Sequence, residues 1–306
     1  MAAFTTFSES ALSRYLCMFE LGDLVAHSPI TAGIENSNYF VSLQVDNLTT
    51  EYVLTINEGL TFDEAPFFSQ LLSQLARAGM PVPEPKRTLD GMSSTIFCGK
   101  PTWLFPKLPG THPDIVSSHQ CVEIGKALAH LHAAAETVRY SRPNPYDLTW
   151  ALKTFDQVSS KLEKSDQDLL LSILVEHRKI SDLDLPMGII HGDLFRDNSL
   201  FIDDTLTGII DFYHACQDFL VQDIAITVND WCSDSAGKID SRHKQKLIEG
   251  YDTVRQLTSQ EREMLMTFQR LGALRFILTR LISGEGDAHL KDPAEFLRIA
   301  RQLDQP

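Results

Sequence analysis

The sequence predicts an α+β protein of two lobes: a small β-rich first lobe, residues 1–106, opened by a helix, and a larger, mostly helical second lobe, residues 107–306. Three observations predict it. β-Prone runs at 39–45 and 52–56 flank Asp46-Asn47-Leu48-Thr49-Thr50, as a hairpin requires. Pro106-Lys107-Leu108-Pro109-Gly110 is the clearest break in composition in the first half of the chain and reads as a hinge. Beyond it, apolar residues return at helical spacing, at Cys121, Ile124, Leu128 and Leu131.

Bulk properties bound the function. At 306 residues the chain is long enough to bury a large core, and a composition of 43% apolar and 22% charged residues excludes wholesale disorder. The formal net charge of −14, with no Lys/Arg run, argues against a nucleic-acid partner. Five scattered cysteines without a C-x-x-C pair read as reduced thiols of a cytoplasmic protein that holds no structural zinc. No signal peptide is expected, because no basic region followed by an apolar segment opens the sequence. No membrane span is expected either, since the most apolar stretch, 271–282, is interrupted by Arg275 and Arg280.

In chain order, Ala11, Leu12, Tyr15, Leu16 and Phe19 predict an amphipathic helix over 7–19. Residues 31–38, rich in Gly, Asn and Ser, read as a loop before the first strand; Gly33, Asn36, Ser37 and Asn38 are candidates to turn backbone N–H groups and short side chains toward phosphates. A helix follows over 63–78, with Asp63 as cap, Pro66 in the first turn, Phe68, Leu71, Leu72 and Leu75 on one face, and Gly79 as its stop. Runs 95–98 and 102–105 read as strands. His130 and His132 face differently on the helix around Leu131, which argues against a shared metal site. Asp223, in the apolar stretch 218–231, either accepts backbone N–H bonds from a buried loop or lies at the surface. Residues 268–282 form a helix on which Arg270, Arg275 and Arg280 step by about 140°, so they share no face, and Arg275 is the candidate inward anion binder.

The chemistry concentrates in 189–213. Three polar residues, Asp193, Asn198 and Asp211, have the spacing of the protein-kinase pattern, in which a loop Asp is followed five residues later by Asn and then by a metal-binding Asp on a hairpin. Phosphoryl transfer from a nucleotide needs a carboxylate to orient the attacking hydroxyl, and an amide oxygen and a second carboxylate to hold Mg²⁺ on the phosphates. Runs 200–202 and 208–210, separated by Asp203-Asp204-Thr205, predict a hairpin that returns Asp211 to the loop carrying Asp193 and Asn198. A third-strand Lys that pairs with a helix Glu is part of the same pattern. Here Thr55 stands at the lysine's place, and Glu64 is the positional candidate for its partner.

G-I-E-N-S-N-Y-F-V at 33–41, E-Y-V-L-T at 51–55, H-G-D-L-F-R-D-N at 191–198, I-D-F-Y-H-A-C at 210–216 and D-I-A-I-T-V-N-D-W-C at 223–232 resemble homoserine kinases of the aminoglycoside-phosphotransferase-like type. So do G-K-P-T-W-L-F-P-K-L-P-G at 99–110, L-R-F-I-L-T-R-L at 274–281 and K-D-P-A-E-F at 291–296, and together these segments span nearly the whole chain. The resemblance implies a protein-kinase-like fold that transfers the γ-phosphoryl of ATP to the side-chain hydroxyl of L-homoserine, a cytoplasmic step toward threonine. Asp193 is then the base, Asn198 and Asp211 hold Mg²⁺, and residues 33–38 cover the phosphates. Arg196, Arg275 and Asp230 are the candidates for the charged ends of the amino acid. Two rivals stand beside it: a kinase for another hydroxylated metabolite (choline, methylthioribose, an aminoglycoside), and a non-catalytic pseudokinase, for which Thr55 speaks. The sequence makes no statement on oligomeric state.

Overall fold

The structure, a computed structural model, describes residues 5–31, 35–180, 182–282 and 292–304. It divides into two units, Met1–Pro109 with Val138–Tyr140, and Gly110–Thr137 with Ser141–Pro306. The expected α+β character holds, with the sheet in the first unit and most helices in the second.

The first unit opens with α1 (Glu9–Leu16) and a 3₁₀ turn, Cys17–Phe19. Its antiparallel sheet has the order β1-β2-β3-β5-β4, from β1 (Asp23–Pro29), β2 (Asn36–Val45), β3 (Leu48–Asn57), β4 (Thr95–Phe97) and β5 (Lys100–Pro106). Strand alternation sends Tyr39, Val41 and Leu43 of β2 and Tyr52, Leu54 and Ile56 of β3 to one face, where Leu12, Tyr15, Leu16 and Phe19 cover them. Each such side chain contributes about 1.5–3 kcal/mol by leaving water. α2 (Ala65–Arg77) packs through Phe68 against Trp103 of β5, whose indole N–H donates to Ser69 at 2.9 Å.

Asn36, Ser37 and Asn38, expected in a loop, are the first rungs of β2, paired with Asn57, Ile56 and Thr55. Asp63 does not cap α2: the helix starts at Ala65, and Glu64 before it folds back to accept from the backbone N–H and hydroxyl of Thr61.

The second unit contains α3 (Ser118–Ala135), α4 (Leu148–Val158), α5 (Lys164–Ile180), α6 (Leu220–Trp231), α7 (Ser241–Asp252), α8 (Ser259–Ile282) and α9 (Pro293–Leu303). Two small antiparallel ribbons join them: β6 (Met187–Ile190) with β9 (Cys216–Phe219), and β7 (Ser199–Ile202) with β8 (Thr205–Ile209). A reciprocal capping box between Ser117 and Gln120 starts α3. α3 and α7 cross closely at Gly125 and Gly250, where an added Cβ would come within 2.0 and 2.2 Å of the facing carbonyl oxygens. Every residue of α6 is buried, which makes it the central helix of this unit. On α8, Arg270 and Arg275 are both buried; Arg270 meets Asp304 at 2.6 Å, and Arg280 meets Glu295 at 2.8 Å. Among the described residues, no helix is long and apolar enough to cross a membrane.

Candidate active site

The two ribbons of the second unit put the three signature residues on one short path. β6 delivers the chain to His191, a 3₁₀ turn at Arg196–Asn198 leads into β7, and β8 returns to Ile210 and Asp211. Ser199 pairs with Ile209, and the Ile210 N–H donates to the Asn198 carbonyl at 3.0 Å, so Asp211 arrives beside Asn198. Asp203 makes the hairpin turn at φ 52°, a left-handed conformation that Asp tolerates. Asp211 itself lies at φ 62°, ψ 61°. Non-glycine residues held there cost on the order of 1–3 kcal/mol and concentrate at functional sites.

Asn198 and Asp193 are locked together. The Asn198 amide nitrogen donates to the Asp193 carbonyl at 2.8 Å and to its carboxylate at 3.0 Å. With the nitrogen turned to Asp193, the amide oxygen is left to face elsewhere. His191 ties this loop to the end of β8: its Nδ1 accepts from the Asp193 N–H at 3.2 Å, and its Nε2 lies 3.1 Å from the Ile210 carbonyl. That pattern requires the neutral tautomer with the proton on Nε2. Full burial, the largest influence, pushes the His191 pKa down to about 4 and keeps the ring neutral. Gly192 at φ +77° is required, since a Cβ there would meet the His214 carbonyl oxygen at 2.9 Å.

Asp223, from the first turn of α6, anchors the loop. Its carboxylate accepts from the His191 N–H at 2.7 Å, the Gly192 N–H at 2.8 Å and the His132 ring at 3.1 Å. Burial alone would raise this carboxyl, but the His132 hydrogen bond, the neighbouring histidines and the Gly192 N–H outweigh it and hold it below the ordinary value. Of the two alternatives for Asp223, the buried loop acceptor is therefore the observed one. His132, which the sequence assigned no function, is its third partner; it also meets the Tyr251 hydroxyl at 2.7 Å.

The Asn229-Asp230-Trp231 run works as three successive clamps. Asn229 exchanges side-chain and carbonyl bonds with Gln269 of α8 at 2.7 and 3.0 Å. Asp230 accepts from the Arg196 N–H at 2.7 Å and from its Nε at 3.2 Å. The Trp231 indole donates to the Leu194 carbonyl at 3.2 Å. Arg196 and Asp230 thus bind each other and hold the 3₁₀ turn, while Arg275 donates to the Gly192 carbonyl and stacks on Tyr146, 4.1 Å from its ring centre.

In the first unit, Gly33 lies outside the described residues. Strand alternation separates its neighbours: the Ser37 hydroxyl sits with Thr5 and Glu58 and is fully buried, whereas Asn38 turns the other way and accepts from the Thr55 hydroxyl at 2.7 Å. The Asn36 amide oxygen meets the Glu58 N–H at 3.4 Å. Thr55, at the lysine's place, is buried.

A loop Asp held by an Asn five residues on, with a second Asp returned by a hairpin, is a phosphotransferase arrangement. A family model described as "Phosphotransferase enzyme family" matches residues 27–257, and the chain belongs to that family. Similar curated proteins include homoserine kinases. That of Pseudomonas aeruginosa is 39% identical, covering 99% of this chain and 96% of its own length. That of Cupriavidus metallidurans is 37% identical, over 99% and 97%. Solved structures agree on the fold. An amicoumacin kinase in complex with AMP-PNP, Ca²⁺ and Ami superposes with a TM-score of 0.74 at 16% identity, covering 97% of this chain and 92% of that one. A microcompartment-associated aminopropanol kinase gives 0.71 at 19% identity, covering 97% and 95%.

Proposed function

We propose that the protein is an ATP-dependent homoserine kinase, transferring the γ-phosphoryl of ATP to the side-chain hydroxyl of L-homoserine to give O-phospho-L-homoserine. The observation that carries the acceptor is the similarity to curated homoserine kinases across 99% of the chain. Support for the chemistry comes from the Asp193–Asn198–Asp211 arrangement. In this reading the Asp193 carboxylate, oriented by the Asn198 amide, accepts the hydroxyl proton as the acceptor oxygen attacks. Asn198, through its amide oxygen, and Asp211, through its carboxylate, are the residues that would hold Mg²⁺; hard oxygen donors of this kind suit it, and a bound ion would neutralise charge on the phosphates. Among the described residues no group of three or more His, Cys, Asp or Glu could hold a metal by itself. That agrees with an ion that takes most of its oxygens from phosphates and water.

Residues 33–38, of which the last three open β2, are the proposed cover for the phosphates, through backbone N–H groups rather than through the Ser37 hydroxyl, which Thr5 and Glu58 already occupy. No third-strand cation takes part, as Thr55 stands in its place. The five free cysteines fit a cytoplasmic protein.

A steady-state comparison of homoserine, serine, threonine, choline and methylthioribose under saturating MgATP tests the acceptor. L-Homoserine should be preferred. Serine keeps both charges, but its hydroxyl falls one methylene short, and misplacement by about 1 Å costs on the order of 10²-fold. A preference for choline or methylthioribose would overturn the acceptor while leaving phosphoryl transfer in place.

A further inference from the structure

Among the described residues, two charged side chains of the second unit have no bond to a group of opposite charge. Of the two arginines buried in the core, Arg270 meets a carboxylate, Asp304, at 2.6 Å. Arg275 meets none among the described residues. It donates to the Gly192 carbonyl and lies over the rings of Tyr146 and Phe276, and its buried Nε has no acceptor among the described residues. Asp218 is the converse case. Its carboxylate accepts from the Phe219 N–H at 2.7 Å and the Asn144 amide at 2.6 Å, both neutral donors, and among the described residues no cation bonds it. Burial pushes its carboxyl up, the direction that a bound cation would reverse.

Both side chains line one cavity of about 280 Å³, together with Tyr146, His177, Gln222 and Leu271. Its size, near the lower end for small-molecule sites, suits a compact metabolite better than an aminoglycoside. The buried Nδ1 of His177 also has no partner among the described residues. A buried charge without a countercharge is strongly unfavourable, and here buried Arg275 and half-buried Asp218, of opposite sign, share a cavity without a hydrogen bond between them. A zwitterion satisfies both at once. The bond from Arg275 to Gly192 also brings the cation to the residue directly before Asp193.

We propose that this cavity holds the two charged ends of the acceptor amino acid, Arg275 taking its α-carboxylate and Asp218 its α-ammonium. This deepens the homoserine kinase reading and rests on it. Arg196 and Asp230, which satisfy each other, then serve to position the loop.

The test is acceptor preference in Asp218→Asn and Arg275→Lys. Asp218→Asn is nearly isosteric and can keep the Asn144 bond. It should raise KM for L-homoserine about 10- to 100-fold, the range carried by a hydrogen bond to a charged group, with KM for ATP unchanged. It should also erase most of the preference for homoserine over 4-hydroxybutanoate, which lacks only the ammonium. Arg275→Lys should erase the preference for homoserine over 3-aminopropan-1-ol, which lacks only the carboxylate. Because Arg275 also braces Gly192, the ratio between acceptors, not kcat, is its readout. A wild-type enzyme that phosphorylates no homoserine would remove the parent reading. An active wild type whose Asp218→Asn variant keeps its homoserine KM and its preference would overturn the cavity assignment alone. A KM for ATP that rises in step with that for homoserine would overturn it too, as the mark of a merely structural role.

Discussion

Asp193→Asn is expected to lower turnover of homoserine by about 10²–10⁴, the usual contribution of a positioned general base, while nucleotide binding stays near wild type. The substitution keeps size and one acceptor oxygen, so the Asn198 amide can still bond it, and only proton acceptance is lost. Steady-state kinetics and a nucleotide-binding titration on the same preparation separate the two effects. Near-normal turnover in a folded variant would end the assignment of Asp193 as base.

The second large effect is expected at Asp223. Asp223→Ala removes the acceptor for two backbone N–H groups and the His132 ring, all buried, and should destabilise the fold by about 3–5 kcal/mol, the cost of breaking a buried charged network from one side. Activity should fall with it, since the His191–Gly192 turn carries Asp193. The pH dependence has a definite sign. The Asp223 carboxyl is held below its ordinary value when folded, so its stabilisation is present above pH ~4 and lost as the pH falls through the folded value. His191 acts earlier. Unfolded it takes a proton near pH 6.5, folded only at about 4, so stability should fall as the pH drops across that window. Denaturant titrations of wild type and Asp223→Ala carried from pH 7 to well below pH ~4 check both statements, the His191 loss falling in the upper part of that range and the Asp223 loss in the lower. A loss at pH 7 below about 1 kcal/mol would contradict the anchoring role.

The loop, the hairpin and Asp211 were legible because their chemistry is local: five residues separate Asp193 from Asn198, and one turn brings Asp211 back. α1, α2 and α3 were legible because their buried residues recur at helical spacing. β1 was not, since it lies mostly exposed at a sheet edge and shows no alternation. α4 and α5 were missed for a related reason. α4 buries Ala151 and Thr154 and exposes Leu152, while α5 exposes Leu171 and Val175 and buries Asp166 against Arg301, so the apolar stripe is blurred. Asn36 to Asn38 look like a loop by composition, but β3 pairs with them, and tertiary pairing overrides local preference. The relation of Asp218 to Arg275 had no sequence signal at all: the two lie on different elements that only the fold brings to one cavity.

Product identification by ³¹P NMR, with the wild-type protein, MgATP and L-homoserine, decides whether the side-chain oxygen of homoserine receives the phosphoryl group. One phosphomonoester per ADP formed is expected, coupled to the γ-methylene protons of homoserine and absent when homoserine or Mg²⁺ is withheld. ADP accumulating with inorganic phosphate alone, or a phosphoryl group on any atom other than the side-chain oxygen, would contradict that transfer.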